Sequence, residues 1–240
     1  MGQVSKEQAL QSERFASTAD FSRLYRFYQA VFLSIIGLPM IAYDFIVFAL
    51  KIEGREKLKH KSLQSCILIS NHSLYLDPAI IIRTLLPHRA YYFALKSHFH
   101  HPVGGVFIRL LGGIPIPDVR GMRRAEKTTA EALVRGYRVH FFPEGEMKHL
   151  NQDIAPFQSG AFFMALRLNT PIVPITLIHR PRTLFGKQVS KYFIRVRCVV
   201  GEPVVPQRLE NESIREAADR LAAEAHRTMA KTIISGHRTL

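Results

Sequence analysis

The chain has 240 residues, with 33 Lys and Arg against 19 Asp and Glu, a formal net charge of +14. That length buries one substantial core with an appendage and is short for two full domains, while the basic excess points to anionic partners: membrane lipid, phosphorylated substrates or nucleic acid. The two cysteines, Cys66 and Cys198, lie in apolar runs and read as packed thiols rather than a disulfide, which mildly favours a reducing compartment.

Residues 1–20 are a polar lead-in, with Lys6, Glu7, Glu13 and Arg14, and do not resemble the start of a cleaved secretory signal. Residues 21–50 form a hydrophobic, membrane-associating segment. From Phe27 to Leu50 its only charge is Asp44; Arg23 and Arg26 precede the run and Lys51 closes it. About 20 apolar residues suffice to cross a bilayer. Gly37 and Pro39 sit near the middle and favour a break, so the expected structure is a two-helix hairpin embedded in one leaflet. A kinked single span and a buried soluble helix are the alternatives.

Residues 51–240 are expected to form the catalytic domain, entered through a charged connector from Lys51 to Lys61 that contains Gly54. Cys66-Ile67-Leu68-Ile69-Ser70 is a continuous apolar run, the pattern of a strand buried on both faces. Asp77-Pro78 reads as a helix start, with Asp77 as N-cap and Pro78 at the first helical position. Strands are predicted over Arg89 to Leu95, Tyr137 to Phe142, Ile172 to Ile178 and Tyr192 to Val200. Helices are predicted over Arg123 to Gly136, over Ser159 to Asn169 and from Glu212 to the C-terminus. Strand and helix alternate, so the expected class is α/β: one mixed, largely parallel sheet flanked by helices.

Two strings stand at predicted strand ends, where open α/β sheets place their ligands: Asn71-His72-Ser73-Leu74-Tyr75-Leu76-Asp77 and Phe142-Pro143-Glu144-Gly145. A neutral imidazole beside an orienting carboxylate is a common way to activate a hydroxyl. On one continuous helix, His72 and Asp77 would point about 140° apart, so their pairing needs the turn that a strand-turn-helix supplies. Asp77 as a plain helix cap and Glu144 as a solvated loop residue are the competing readings of each string alone.

Together the strings resemble the glycerolipid (lysophospholipid) acyltransferase superfamily, the group that includes the 1-acyl-sn-glycerol-3-phosphate acyltransferases. Its blocks occur in order: NHxxxxD at Asn71 to Asp77, Gly-Gly-Ile-Pro-Ile-Pro at Gly112 to Pro117, FPEG at Phe142 to Gly145, and Pro171-Ile172-Val173-Pro174-Ile175. Ala94-Leu95-Lys96-Ser97 is similar to a further stretch, adding Lys96. The resemblance implies His72 as general base toward an acceptor hydroxyl and Asp77 as its support. Glu144 and Gly145 would lie in the acceptor site, with direct attack on an acyl thioester. It implies a lysophospholipid acceptor, acyl-CoA or acyl carrier protein as co-substrate with no other cofactor, a membrane bilayer as partner, and an active site on the cytoplasmic face.

The blocks also depart from the family pattern. Glu146, Met147 and Lys148 replace the usual Thr-Arg-Ser after FPEG, Gln158 stands where lysine is frequent, and Asp118 and Val119 occupy the positions of an expected arginine. Arg120, Arg123 and Arg124 follow and form a cation cluster suited to phosphate oxygens, with a solvated helix face as the alternative for each. These departures motivate a second reading, the same chemistry on a headgroup-bearing lysolipid, an amino-acid lipid or a glycolipid. A non-catalytic basic lipid- or nucleic-acid-binding protein is a third; no nucleic-acid motif accompanies the charge. His98-Phe99-His100-His101 lacks complementary ligands for a metal, and none is expected.

Overall fold

The chain is described by a computed structural model over residues 20–116, 122–185, 187–189 and 193–238. All of the lead-in except Asp20 lies outside those residues, as do Arg120 and Tyr192. In chain order the elements are α1 (Arg23–Ile46), β1 (Lys51–Glu53), β2 (Ile67–Ser70), α2 (Asp77–Leu85), β3 (Ala90–Ala94), α3 (Gly104–Leu110), β4 (Gly113–Pro115), α4 (Met122–Val134), β5 (Arg138–Phe141), α5 (Gly160–Arg167), β6 (Ile172–Pro181), β7 (Thr183–Leu184), β8 (Lys187–Gln188), β9 (Ile194–Val200) and α6 (Ile214–Arg238).

β2 has no polar face to offer to water, and it sits centrally in a seven-stranded sheet of order β1-β9-β6-β2-β5-β3-β4. Ile67 and Ile69 pack on one face with Phe162 and Met164 of α5 and Leu221 and Met229 of α6. Cys66 and Leu68 pack on the other with Ile80, Ile81 and Leu85 of α2. Both cysteines are buried and free, and burial pushes their thiols up, to about 11 for Cys66 and about 12 for Cys198. β2 runs parallel to β5 and β6, and β3 runs parallel to β5 and β4, so five strands deliver their C-terminal ends to one edge. β9 closes antiparallel on β6 and parallel to β1, making the sheet mixed. The expected connector at Lys51 thus begins as a paired edge strand, with Gly54 turning the chain at φ 73°.

The N-terminal segment differs from the expected hairpin: the described residues form one continuous helix, α1, with Pro39 inside it. Proline removes one backbone bond, but a reversal at Gly37-Leu38-Pro39 would expose several more, and no Asn, Asp or Ser stands there to satisfy them. α1 is long and apolar enough to cross a membrane. Both of its ends, however, are tied to the same body. Near its start Tyr25 donates to the Arg109 carbonyl, and Arg89 donates to Gln29 and to the Arg26 carbonyl. At its finish the Val47 and Phe48 carbonyls accept the amides of Ile194 and Val196 in β9. Along the helix Leu24, Phe27, Tyr28, Ile35, Leu38 and Phe45 are exposed at helical spacing.

Candidate active site

The loop after β2 is held from both sides. Asn71, buried, completes the β2–β6 ladder with its side chain: Nδ2 donates to the Leu177 carbonyl at 2.9 Å and Oδ1 accepts the Leu177 amide at 2.8 Å. On the opposite side of the loop, Lys148 and Leu150 donate their amides to the carbonyls of His72 and Ser73 at 3.3 and 2.8 Å. The chain after FPEG therefore folds back over the histidine.

Asp77 is not the N-cap. Leu76 occupies that position, and Asp77 opens α2, ahead of Pro78, with its carboxylate turned back into the loop. Its Oδ2 accepts the Ser73 amide at 2.7 Å, the Leu74 amide at 2.8 Å and His72 Nδ1 at 3.0 Å. The same oxygen closes the turn and orients the imidazole. Burial raises the Asp77 carboxyl above the usual carboxylate range, opposed by His72 and by the two amides. An acceptor at Nδ1 places the proton there and leaves the Nε2 lone pair, which has no partner among the described residues, as the basic atom. The His72 side chain is 20% exposed, so this nitrogen is not sealed in the core.

Beneath His72 lies Phe142, its ring stacked on the imidazole at 3.9 Å between centroids. His140 meets Phe142 edge-on at 4.5 Å, and its Nε2 is 2.9 Å from Ser70 Oγ. Fully enclosed, His140 is pushed down to about 3, first by burial and then by the positive charge available to His72. It is a neutral, buried residue beneath the stack of Phe142 on His72.

Glu144 stands at the C-terminal end of β5 as expected, but neither oxygen is idle. Oε1 accepts the His72 amide at 2.7 Å and Oε2 accepts the Ala155 amide at 2.8 Å. Burial raises its carboxyl, and these amides oppose the rise. Its evident task is to tie the β5 loop to the histidine loop. Gly145 has φ +76°, and a Cβ there would collide with Gln158 Nε2, so the close approach glycine permits is to Gln158.

The expected cations separate. Lys96 follows β3 at the same sheet edge as His72 and Glu144, in a short turn from Lys96 to His100. Lys148 is beside the histidine loop through its backbone, while its ammonium is 3.4 Å from Glu146. Arg123 is exposed and lines a groove with Glu126, Lys127, Ala130, Arg167 and Leu168, none of them in the two strings. Its direction was not legible because it depends on how α4 packs. His101, from the histidine run, caps α3 by accepting the Gly104 amide at 2.9 Å.

Sequence reasoning assigned no role to Asn71, Phe142, His140 or Ser70. His140 did leave a signal, an ionisable residue that shares a short buried strand with Arg138. The Gln152 side chain, whose Oε1 accepts the His179 amide at 2.9 Å, left none.

A histidine-aspartate pair on a strand-turn-helix, at the C-terminal edge of a mostly parallel sheet and bracketed by a Pro-Glu-Gly turn, defines a class of acyl-transfer domain. The acyltransferase family profile matches residues 49–178, and the chain belongs to that family. It is 30% identical over 187 residues to a chloroplastic 1-acyl-sn-glycerol-3-phosphate acyltransferase of Brassica napus, covering 76% of this chain and 50% of the relative. It is 31% identical over 166 residues to the human 1-acyl-sn-glycerol-3-phosphate acyltransferase beta, covering 67% of this chain and 57% of the relative. The chain spans about half the length of these curated relatives. Its fold is similar to the crystal structure of the 1-acyl-sn-glycerophosphate acyltransferase PlsC from Thermotoga maritima. That match has TM-score 0.55 and 17% identity, and it covers 88% of this chain and 95% of the other.

Proposed function

We propose that the protein transfers a fatty acyl group from acyl-CoA or acyl carrier protein to the free hydroxyl of a lysophospholipid, with 1-acylglycerol-3-phosphate as the favoured acceptor. The observation that carries this reading is the His72–Asp77 pair, whose Nε2 has no partner among the described residues. Nε2 takes the acceptor's hydroxyl proton as its oxygen attacks the thioester carbonyl. Asp77 holds the imidazole and offsets its new positive charge. The tetrahedral intermediate collapses by breaking the C–S bond, and the imidazolium returns the proton to the leaving thiolate. No acyl-enzyme is needed, and both thiols are buried with raised pKa, which suits a non-covalent route.

The named activity of the relatives supports a phosphate-bearing acceptor, and Lys96 at the sheet edge supplies a cation for it. The ion pair between Lys148 and Glu146 favours a second reading, a different lysolipid headgroup, because it offsets a charge that would otherwise face phosphate.

The docking of α1 supports a membrane-interface location rather than a span. A helix of 24 residues is about 36 Å long, and spanning would put its ends on opposite sides of the bilayer, whereas both ends of α1 bond one body. Its exposed apolar stripe then lies in the headgroup boundary, joined by exposed Leu95, Val103, Val106 and Phe107 near the active-site edge. The excess of Lys and Arg suits the anionic cytoplasmic leaflet.

The test is an acceptor panel in vesicles, each acceptor assayed with acyl-CoA and with acyl carrier protein. Transfer should require His72 and vanish in His72→Ala with folding intact. Undiminished transfer by that variant refutes the mechanism, and loss of phosphate preference moves the acceptor to the second reading.

A further inference from the structure

At the opposite end of the sheet from His72, α1 and the body form a second site with its own chemistry. Arg23, Arg26, Arg89 and Tyr137 line a cleft together with Phe27 and Ala30. Arg89 and Tyr137 lie just before the N-terminal ends of β3 and β5, whereas the catalytic loops leave the C-terminal ends. This cleft is therefore no part of the active site.

Three guanidinium groups meet there with no carboxylate paired to them among the described residues. The nearest acid in sequence, Asp20, accepts the Ser22 amide at 2.8 Å instead. Arg26 Nη1 donates to the Tyr137 hydroxyl at 3.3 Å, and Arg89 uses its donors on Gln29 and the Arg26 carbonyl. Arg26 Nε is buried without an acceptor, and the Arg23 side chain makes no hydrogen bond or ion pair among the described residues. Gathering three like charges costs free energy that an anion would relieve, and guanidinium forks match phosphate oxygens. The wall that is not cationic is apolar: Phe27 and Ala30 continue into the exposed stripe of α1.

We infer that Arg23, Arg26 and Arg89 bind the phosphate of a bilayer phospholipid, with Phe27 and the apolar stripe of α1 lying against its acyl chains. This rests on the interfacial placement of α1 and not on the acyl-transfer chemistry. A phosphate clamp at one end of α1 fixes how the helix is turned in the interface, and so how the distant active-site edge meets the lipid.

The test is partition onto vesicles of phosphatidylcholine alone and of phosphatidylcholine with phosphatidylglycerol. The proteins are the full chain, Arg23→Gln, Arg23→Gln/Arg26→Gln, and Arg124→Gln as an exposed arginine of α4 outside the cleft. Wild type is expected to bind neutral vesicles through its apolar face and to gain affinity with phosphatidylglycerol. That gain should fall about fivefold in Arg23→Gln and about 25-fold in the double variant, with neutral binding and turnover in detergent unchanged. Arg124→Gln should keep the gain. Equal gains in wild type and the double variant overturn the site. An equal loss in Arg124→Gln reduces it to diffuse charge. Removal of the gain by inorganic phosphate, where chloride at the same ionic strength does not remove it, reassigns the cleft to free phosphate. Wild type that binds neither vesicle overturns the interfacial placement itself.

Discussion

Asp77→Asn isolates charge from geometry in the catalytic pair. Three N–H donors converge on Asp77 Oδ2, from Ser73, Leu74 and His72 Nδ1. The asparagine must therefore put its carbonyl oxygen in that place. Its amide nitrogen then takes the position of Oδ1, which is buried with no partner among the described residues. The imidazole keeps its orientation and its Nδ1 proton but loses the anion that stabilises it once it has taken the substrate's proton. At 3.0 Å and an effective dielectric of about 20, a unit charge pair is worth about 5 kcal/mol, an upper limit because water partly replaces the lost field. The expected fall in kcat is about 10³-fold, with KM little changed because the substrate's ground state does not feel the missing charge. A buried amide without an acceptor should also lower stability by about 1–3 kcal/mol. Initial rates of thiol release from acyl-CoA, with urea unfolding of the same preparations, measure both. A kcat within about threefold of wild type refutes charge support by Asp77, and a loss confined to KM reassigns it to binding.

Three further outcomes follow from the same geometry. Asn71→Ala strands the buried amide and carbonyl of Leu177 and should cost about 2–4 kcal/mol in urea unfolding, with any loss of rate secondary to the displaced loop. His140 is held at about 3 in the fold against an ordinary 6.5, so the unfolded chain binds more protons between those values. Its contribution is present above pH 6.5 and is lost as pH falls toward 3, and between pH 7 and 5 that loss is about 2 kcal/mol. His140→Gln should lack this acid loss in paired unfolding curves; an unchanged slope would contradict the buried, neutral state. Gly145→Ala should destabilise by about 1–2 kcal/mol from its positive φ, since the exposed Gln158 side chain can swing clear of the added methyl. Gln158→Ala should therefore recover little of that loss, which a double-mutant cycle in chemical denaturation checks.

Much of the fold was legible because burial on two faces leaves an unambiguous trace. The runs around Ile67–Ser70, Ala90–Ala94 and Ile172–Pro181 are strands that no helix pattern fits, and their observed limits fall close to the predicted ones. Alternation at Ile194–Val200 identified the strand with a more polar face, and its buried-exposed pattern follows that alternation. α1 departs from the hairpin its sequence suggests for a local reason. A proline beside a glycine is a breaker in water, but its single lost bond is weighed against the backbone groups a reversal would expose, and the surrounding apolar residues settle that comparison.

The site divides along the same line. His72 and Asp77 could be paired from sequence because the four residues between them are spanned by one turn, and local chain geometry brings the groups together. Glu144 could be placed at a strand end but not given its partners, since Ala155 reaches it only through the fold of the intervening loop.

Residue pattern alone therefore determined the class of fold, the pairing of His72 with Asp77, and the strand ends on which the two strings stand, because each rests on contacts within one turn or one strand. Tertiary structure decided that Asn71 is spent on Leu177, that Glu144 braces the histidine loop, that Arg123 turns toward α5 and that α1 is docked at both ends. Those outcomes depend on groups brought together across the sheet, where a hydrogen bond forms between whichever donor and acceptor the packing leaves side by side.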